Sequence, residues 1–161
     1  MTPIYRIGYW VAGTPIPQGS KRAWYNEATR QVMMTEDAGS RHTTWRHELS
    51  GQARQAMADH GYIEPFREAI HIALRFKSHR GLGHYGSGRN SEKLKPSAPA
   101  HPTKPPDIDK LARAVLDSMT SIVWVDDAQV VKLTATKGWV HRWEEEGVFI
   151  HVSTFAEPNG Q

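Results

Sequence analysis

Cysteine is absent from the 161-residue chain. That excludes disulfides and thiolate metal sites, and it suits a reducing, cytoplasmic setting. Long apolar runs are absent too: no stretch approaches the roughly 18 consecutive apolar residues of a membrane helix. The opening MTPIYRIGYW lacks a basic segment followed by an apolar one, so no secretory leader is expected. No internal repeat is visible. The nine histidines include no compact pair of the His-x₃-His kind, so no zinc site is expected.

Hydrophobic residues make up 39% of the chain and charged residues 23%, which fits one modest core and not a disordered tail. A single domain over residues 1–161 is expected. The formal charge of +3 and pI near 9.3 are mild. The distribution says more. Bases load the first third (Lys21, Arg22, Arg30, Arg41, Arg46) and the middle (Lys77, Arg80, Arg89, Lys93, Lys95, Lys104). Acids collect at Asp107, Asp109, Asp117, Asp126, Asp127 and Glu144 to Glu146. A basic surface around an acidic pocket suits a metal nuclease: bases hold phosphates and acids hold a cation. An ordinary solvated surface accounts for the same counts.

Periodicity supplies the elements. Residues 3–12 alternate, with Tyr5, Ile7, Tyr9 and Val11 on one face of a strand. GTPIPQGSKRAW reads as a loop that brings Lys21 and Arg22 to the surface, and 23–34 as a short hairpin. Residues 36–60 predict a helix with Trp45, Leu49, Ala53, Ala56 and Met57 inward. Residues 67–77 predict a strand with Ile70, Ile72, Leu74 and Phe76 inward. Residues 78–106 are rich in Gly, Pro, Ser and bases, and predict a long, mobile basic loop. Pro105-Pro106 then opens a helix at 107–122, whose Leu111, Val115 and Met119 share one apolar stripe. Strands follow at about 128–138 and 147–155. The expected order is β–α–β–loop–α–β–β, an α+β fold with a small mixed sheet and two main helices packed on it.

The chemistry centres on acids at two element starts. Asp107 at a helix start suits either an N-cap or a metal ligand. Asp109 in the first turn also meets the positive end of the helix dipole. Asp126 and Asp127 stand side by side before a strand, where one acid would serve a plain turn. Hard cations such as Mg²⁺ take oxygen ligands of this kind. Arg113 lies four residues after Asp109, on the same helical side. It suits a phosphate contact, or an ordinary ion pair with Asp109 or Asp117. Asp117 reads as a structural ion-pair partner, and Lys110 as a plain surface lysine. Trp24 and Trp139 are candidates for stacking on unpaired bases, and Trp124 for a core wedge beneath the acids.

PPDIDKLARAVLDSMTSIVWVDDAQVV resembles the signature of the RusA-like Holliday junction resolvases: Pro-Asp-x-Asp, a helix with a basic residue and Leu-Asp, then Asp-Asp-x-Gln-Val. GTPIPQGSKRAW resembles that family's early Gly/Pro/basic stretch. The resemblance spans about residues 5–155. It implies a homodimer that binds four-way and other branched DNA and cuts it symmetrically with Mg²⁺ or Mn²⁺, in recombination, repair or phage DNA processing. A bacterial or phage-infected cytoplasm goes with it. The family's essential aspartates map onto Asp107, Asp109 and Asp127, with Asp126 beside the last. Its essential lysine maps onto Arg113, which keeps the charge and gives up proton transfer. Lys110 stands where the family usually has Asn. Lys21, Arg22, Lys77, Arg80, Arg89 and Lys104 are the expected DNA contacts. The competing expectation is a module of the same fold that grips branched DNA without cutting it. A nucleotide-sugar transferase using Asp-x-Asp is disfavoured, because no βαβ run precedes the motif.

Overall fold

A computed structural model describes residues 4–19, 21–36 and 39–155, without the side chains of Lys21, Arg22 and 34–36. Four strands form a mixed sheet in the order β1-β6-β4-β5. They are β1 (Arg6–Ala12), β4 (Ile70–His79), β5 (Val130–Val140) and β6 (Gly147–Thr154). β6 runs antiparallel to both β1 and β4, and β5 runs parallel to β4. β2 (Lys21–Asn26) and β3 (Gln31–Glu36) pair antiparallel as a separate hairpin. The expected α+β class and mixed sheet are therefore observed.

Alternation makes the sheet two-faced. In β4, Ile70, Ile72, Leu74 and Phe76 are buried while Arg75 is exposed. β6 buries Val148, Ile150 and Val152, and β1 buries Ile7 and Val11. Against this face pack α1 (Ser40–Asp59) and α2 (Ile108–Met119). α1 contributes Trp45, Leu49, Ala53 and Met57, and α2 contributes Leu111, Ala112, Val115 and Met119. Each fully buried aliphatic side chain of this kind stabilises the fold by about 1.5–3 kcal/mol relative to exposure. The opposite face of the sheet carries no helix among the described residues.

Residues 80–106 hold two single-turn 3-10 helices, at Leu82–His84 and Gly88–Asn90, and no strand. The loop nevertheless has many anchors. Gly86 N–H donates to Lys93 O at 2.9 Å and Lys95 N–H to His84 O at 2.9 Å. Tyr85 is buried, with the Arg142 guanidinium 5.8 Å from its ring centroid. The Trp139 indole donates to Pro99 O at 3.1 Å. Composition promised few apolar anchors here; carbonyl oxygens supply the anchoring instead.

Candidate metal centre

Asp107 occupies the N-cap of α2 in extended backbone geometry, and its carboxylate makes no capping bond. The capping role is thus corrected: the carboxylate faces Lys110 Nζ at 3.6 Å. Lys110 is likewise no idle surface lysine, since it neutralises Asp107 one helical turn away. Both side chains stay open to water, Asp107 at 59% and Lys110 at 44%, so the pair contributes little stability. Asp109 is exposed in the first turn. There the helix dipole favours its charge.

Two neighbours position this helix start. Lys137 Nζ in β5 donates to Pro106 O at 2.8 Å and to Lys104 O at 2.9 Å, fixing the backbone just before Asp107. Gln18 N–H donates to Lys110 O at 3.0 Å, and Gln18 Oε1 lies 3.2 Å from His42 Nε2 of α1. The Gly/Pro loop and the Asp-x-Asp segment, about 90 residues apart in sequence, therefore meet at one helix end. A cleft of about 380 Å³ opens beside it, lined by His79, Lys104, Pro106, Lys137 and Trp139 among others. Lys137 was not singled out from sequence. Its alternation within a strand marks a face but not a carbonyl partner 31 residues away.

The second pair of acids divides its labour. Asp126 Oδ1 accepts from Ala128 N–H at 2.8 Å and caps a single-turn helix at Asp127–Gln129. Gln129 Oε1 accepts from Val125 N–H and Asp126 N–H, both at 2.9 Å. Gln129 Nε2 donates to Phe66 O at 2.9 Å and Glu68 O at 3.0 Å, tying the turn to the approach of β4. Asp127 does something else. Its Oδ1 accepts the Trp124 indole N–H at 2.8 Å and a short bond from the Thr120 hydroxyl. Trp124 is fully buried, so the wedge expected beneath the acids is present and also orients one of them. Oδ2 receives no hydrogen bond among the described residues. A carboxylate aimed by buried donors with one oxygen free is the arrangement that supports a ligated cation. Asp126 shapes the turn and stays exposed, and Asp127 is half-buried against its two side-chain donors.

Asp107 and Asp127 stand at opposite ends of α2. Thr120, whose hydroxyl holds Asp127, is the C-cap of that 12-residue helix, and Asp107 is its N-cap. At about 1.5 Å per residue the two ends lie about 18 Å apart. Consistently, no group of three His, Asp or Glu side chains close enough for one metal ion occurs among the described residues.

Residues 13–153 match the family model of endodeoxyribonuclease RusA. The chain belongs to the RusA endodeoxyribonuclease family. No curated protein matches it. Membership makes it an endonuclease of the Holliday junction resolvase type, and both resembling segments fall inside the matched span. The RusA-type Asp-Asp-x-Gln run now reads physically: one Asp shapes the turn, the next is held by its side-chain donors, and Gln clamps the turn to β4.

The remaining expected contacts of this RusA-family chain spread widely. Arg113 is exposed on α2 and forms no ion pair with Asp109 or Asp117 among the described residues, so the expected structural pair with Asp117 is absent. Arg80 is engaged within the loop: its guanidinium donates to Pro99 O at 2.7 Å and lies 5.1 Å from the Trp139 ring centroid. Trp139 is correspondingly a scaffold for the loop and not an open platform for bases. Arg89 and Lys104 are exposed, and Lys77 is half-buried on β4. Lys21 and Arg22 fall on β2 by backbone, and their side chains lie outside the described residues.

Proposed function

We propose that this chain is a structure-selective, Mg²⁺-dependent nuclease that acts as a homodimer and resolves four-way and related branched DNA by symmetric cuts. One observation carries the reading of the centre: Asp127, aimed by Trp124 and Thr120, stands a helix length from Asp107 and Asp109. All are carboxylates with free oxygens, a donor set suited to a hard cation. A two-fold dimer that lays α2 of one protomer antiparallel to its mate brings Asp107 and Asp109 of one copy to Asp127 of the other. Exposed apolar residues sit at both ends of this path, Ile108 at one and Val125, Val131 and Leu133 at the other. β5 is an edge strand, so its Val131 and Leu133 are available for such a contact.

In this reading Asp107, Asp109 and Asp127 hold the cation, while Asp126 keeps the turn. A Mg²⁺ or Mn²⁺ ion held there would supply polarisation of the scissile phosphate, activation of water and stabilisation of the leaving oxygen. Arg113, one turn past Asp109 and unpaired, holds a phosphate oxygen as a fixed charge and moves no proton. Arg89 and Lys104 grip phosphates further along the arms, without reading sequence. The activity serves recombination, repair or phage DNA processing in a bacterial or phage-infected cytoplasm.

The test is incubation of the purified protein with a four-way junction and a matched linear duplex, with Mg²⁺ and with EDTA. Symmetric nicks in the junction alone, lost in EDTA, are expected. Junction binding without cleavage in any divalent metal would instead make the chain a binding module.

A further inference from the structure

The helix-free face of the sheet has its own composition. Register and alternation place Arg6 and Trp10 of β1, Phe149 of β6, Arg75 and Lys77 of β4 and Lys132 of β5 on it. No strand residue on this face is acidic. His71 of β4 lies between Lys132 of β5 and His151 of β6, and both neighbours disfavour its positive charge.

Its side chains lie flat. An ideal Cβ on Gly147 would come 2.5 Å from the Trp10 ring, and one on Gly138 would come 2.9 Å from Lys77 Nζ. Phe149 and His151 reach over Gly8 in the same way, at 3.6 and 3.5 Å from its ideal Cβ. The Arg75 guanidinium stacks 4.7 Å from the Phe149 ring centroid. Glycines thus leave gaps, and long side chains fill them by lying along the sheet. Trp10, Phe149 and Arg75 thus reach across neighbouring strands, with Trp10 36% exposed.

We infer that this face binds an unpaired DNA strand, such as the single-stranded portion of a branched substrate. The inference rests on the DNA-nuclease reading for its partner, though not on the metal centre. Basic strand residues, met by an acid only where Glu146 pairs with His79 at the rim, match a phosphate chain and disfavour a second copy of the same face, whose cations would meet cations. Exposed rings and guanidinium groups serve bases whose own faces are free. A duplex hides its base faces in the stack and would use only the cations. The split metal centre leaves this face untouched, so one protein could hold an unpaired strand here while cutting at α2.

Anisotropy of a labelled oligothymidylate, with a hairpin duplex of equal length as comparison, tests this in EDTA with the whole chain. Trp10→Ala and Arg75→Ala should each weaken oligothymidylate binding roughly tenfold. Duplex binding should fall less. Lys132→Glu, an exposed edge-strand change that spares the core, should weaken binding to both. Retained oligothymidylate affinity in all three variants, with native melting curves, overturns the inference. An equal loss for duplex in the Trp10 and Arg75 variants overturns the single-strand preference. Conversion of a dimer to monomers by the Trp10 or Arg75 variant would assign the face to a second copy and also overturn it. Failure of the wild type to cut junctions would sink the nuclease reading and leave these binding results standing.

Discussion

If the metal centre is shared between protomers, two inactive variants should rescue each other. The reasoning starts from α2. Its 12 residues put Asp107 and the Thr120–Asp127 pair at opposite ends, about 18 Å apart at about 1.5 Å per residue. Oxygens on one Mg²⁺ each lie about 2.1 Å from it, so two ligands on a single ion are at most about 4 Å apart. Closing that gap within one chain would require unwinding α2, whose Leu111, Val115 and Met119 are core. Asp109→Asn and Asp127→Asn should therefore each abolish junction nicking alone. Coexpressed with different tags, they form a mixed dimer in which one centre carries both lesions and the other carries neither. With random pairing, about half the dimers are mixed, so about one quarter of wild-type centres survive. The assay is single-turnover nicking of a four-way junction by the doubly tagged species, isolated in two affinity steps. That species should nick one strand at near half the wild-type rate. A centre built within one chain leaves a lesion in every centre of every dimer. Nicking no higher than in the parent variants, from a verified mixed dimer, would refute the shared centre.

Other expectations follow from single contacts. Asp109→Asn should bind junctions as tightly as the parent or tighter in a gel-shift assay, because a charge that repels DNA is gone. Thr120→Val removes one of the donors that aim Asp127 and should slow cleavage roughly 10–100-fold with little change in junction affinity. Arg113→Ala should likewise reduce the single-turnover rate far more than binding; a loss in binding alone would make it only a grip. Lys137→Met strips the carbonyls of Lys104 and Pro106 of their donor and should cost about 0.5–1.5 kcal/mol in urea unfolding. His71 has a pKa held below its usual 6.5 by burial first, then by Lys132 and His151. The unfolded chain therefore takes the proton first, so this contribution is complete above the unfolded value and is lost as pH falls through the folded one. His71→Asn should flatten the fall of melting temperature between about pH 7 and about pH 5.

Most of the fold was legible because its signals are local. The two-residue period of β4 named Ile70, Ile72, Leu74 and Phe76, and all four are buried. The helical stripe of α2 named Leu111, Val115 and Met119, and these are buried as well. The hairpin at 23–34 is also present, slightly longer, as β2 and β3. Side-chain duties toward distant backbone were not legible. Arg80 and Trp139 both bond to Pro99 O, 19 and 40 residues away, and no pattern in either neighbourhood marks that carbonyl. A basic residue in a basic loop reads as a phosphate grip until its partner is seen. Asp107 misled in the opposite direction: a good N-cap residue at a helix start leaves its cap unmade and pairs with Lys110.

The acids show where a sequence motif stops and geometry begins. Asp-x-Asp and Asp-Asp lie within 21 residues, and proximity in sequence suggested one pocket. A helix intervenes, and a helix holds its ends apart as firmly as it holds neighbouring turns together. The same segment that unites the motif in sequence divides it in space. Two copies related by a two-fold axis reverse that division, because antiparallel helices set each start against the other's end. On this account the spacing between the acid pairs measures the reach from one protomer to its mate.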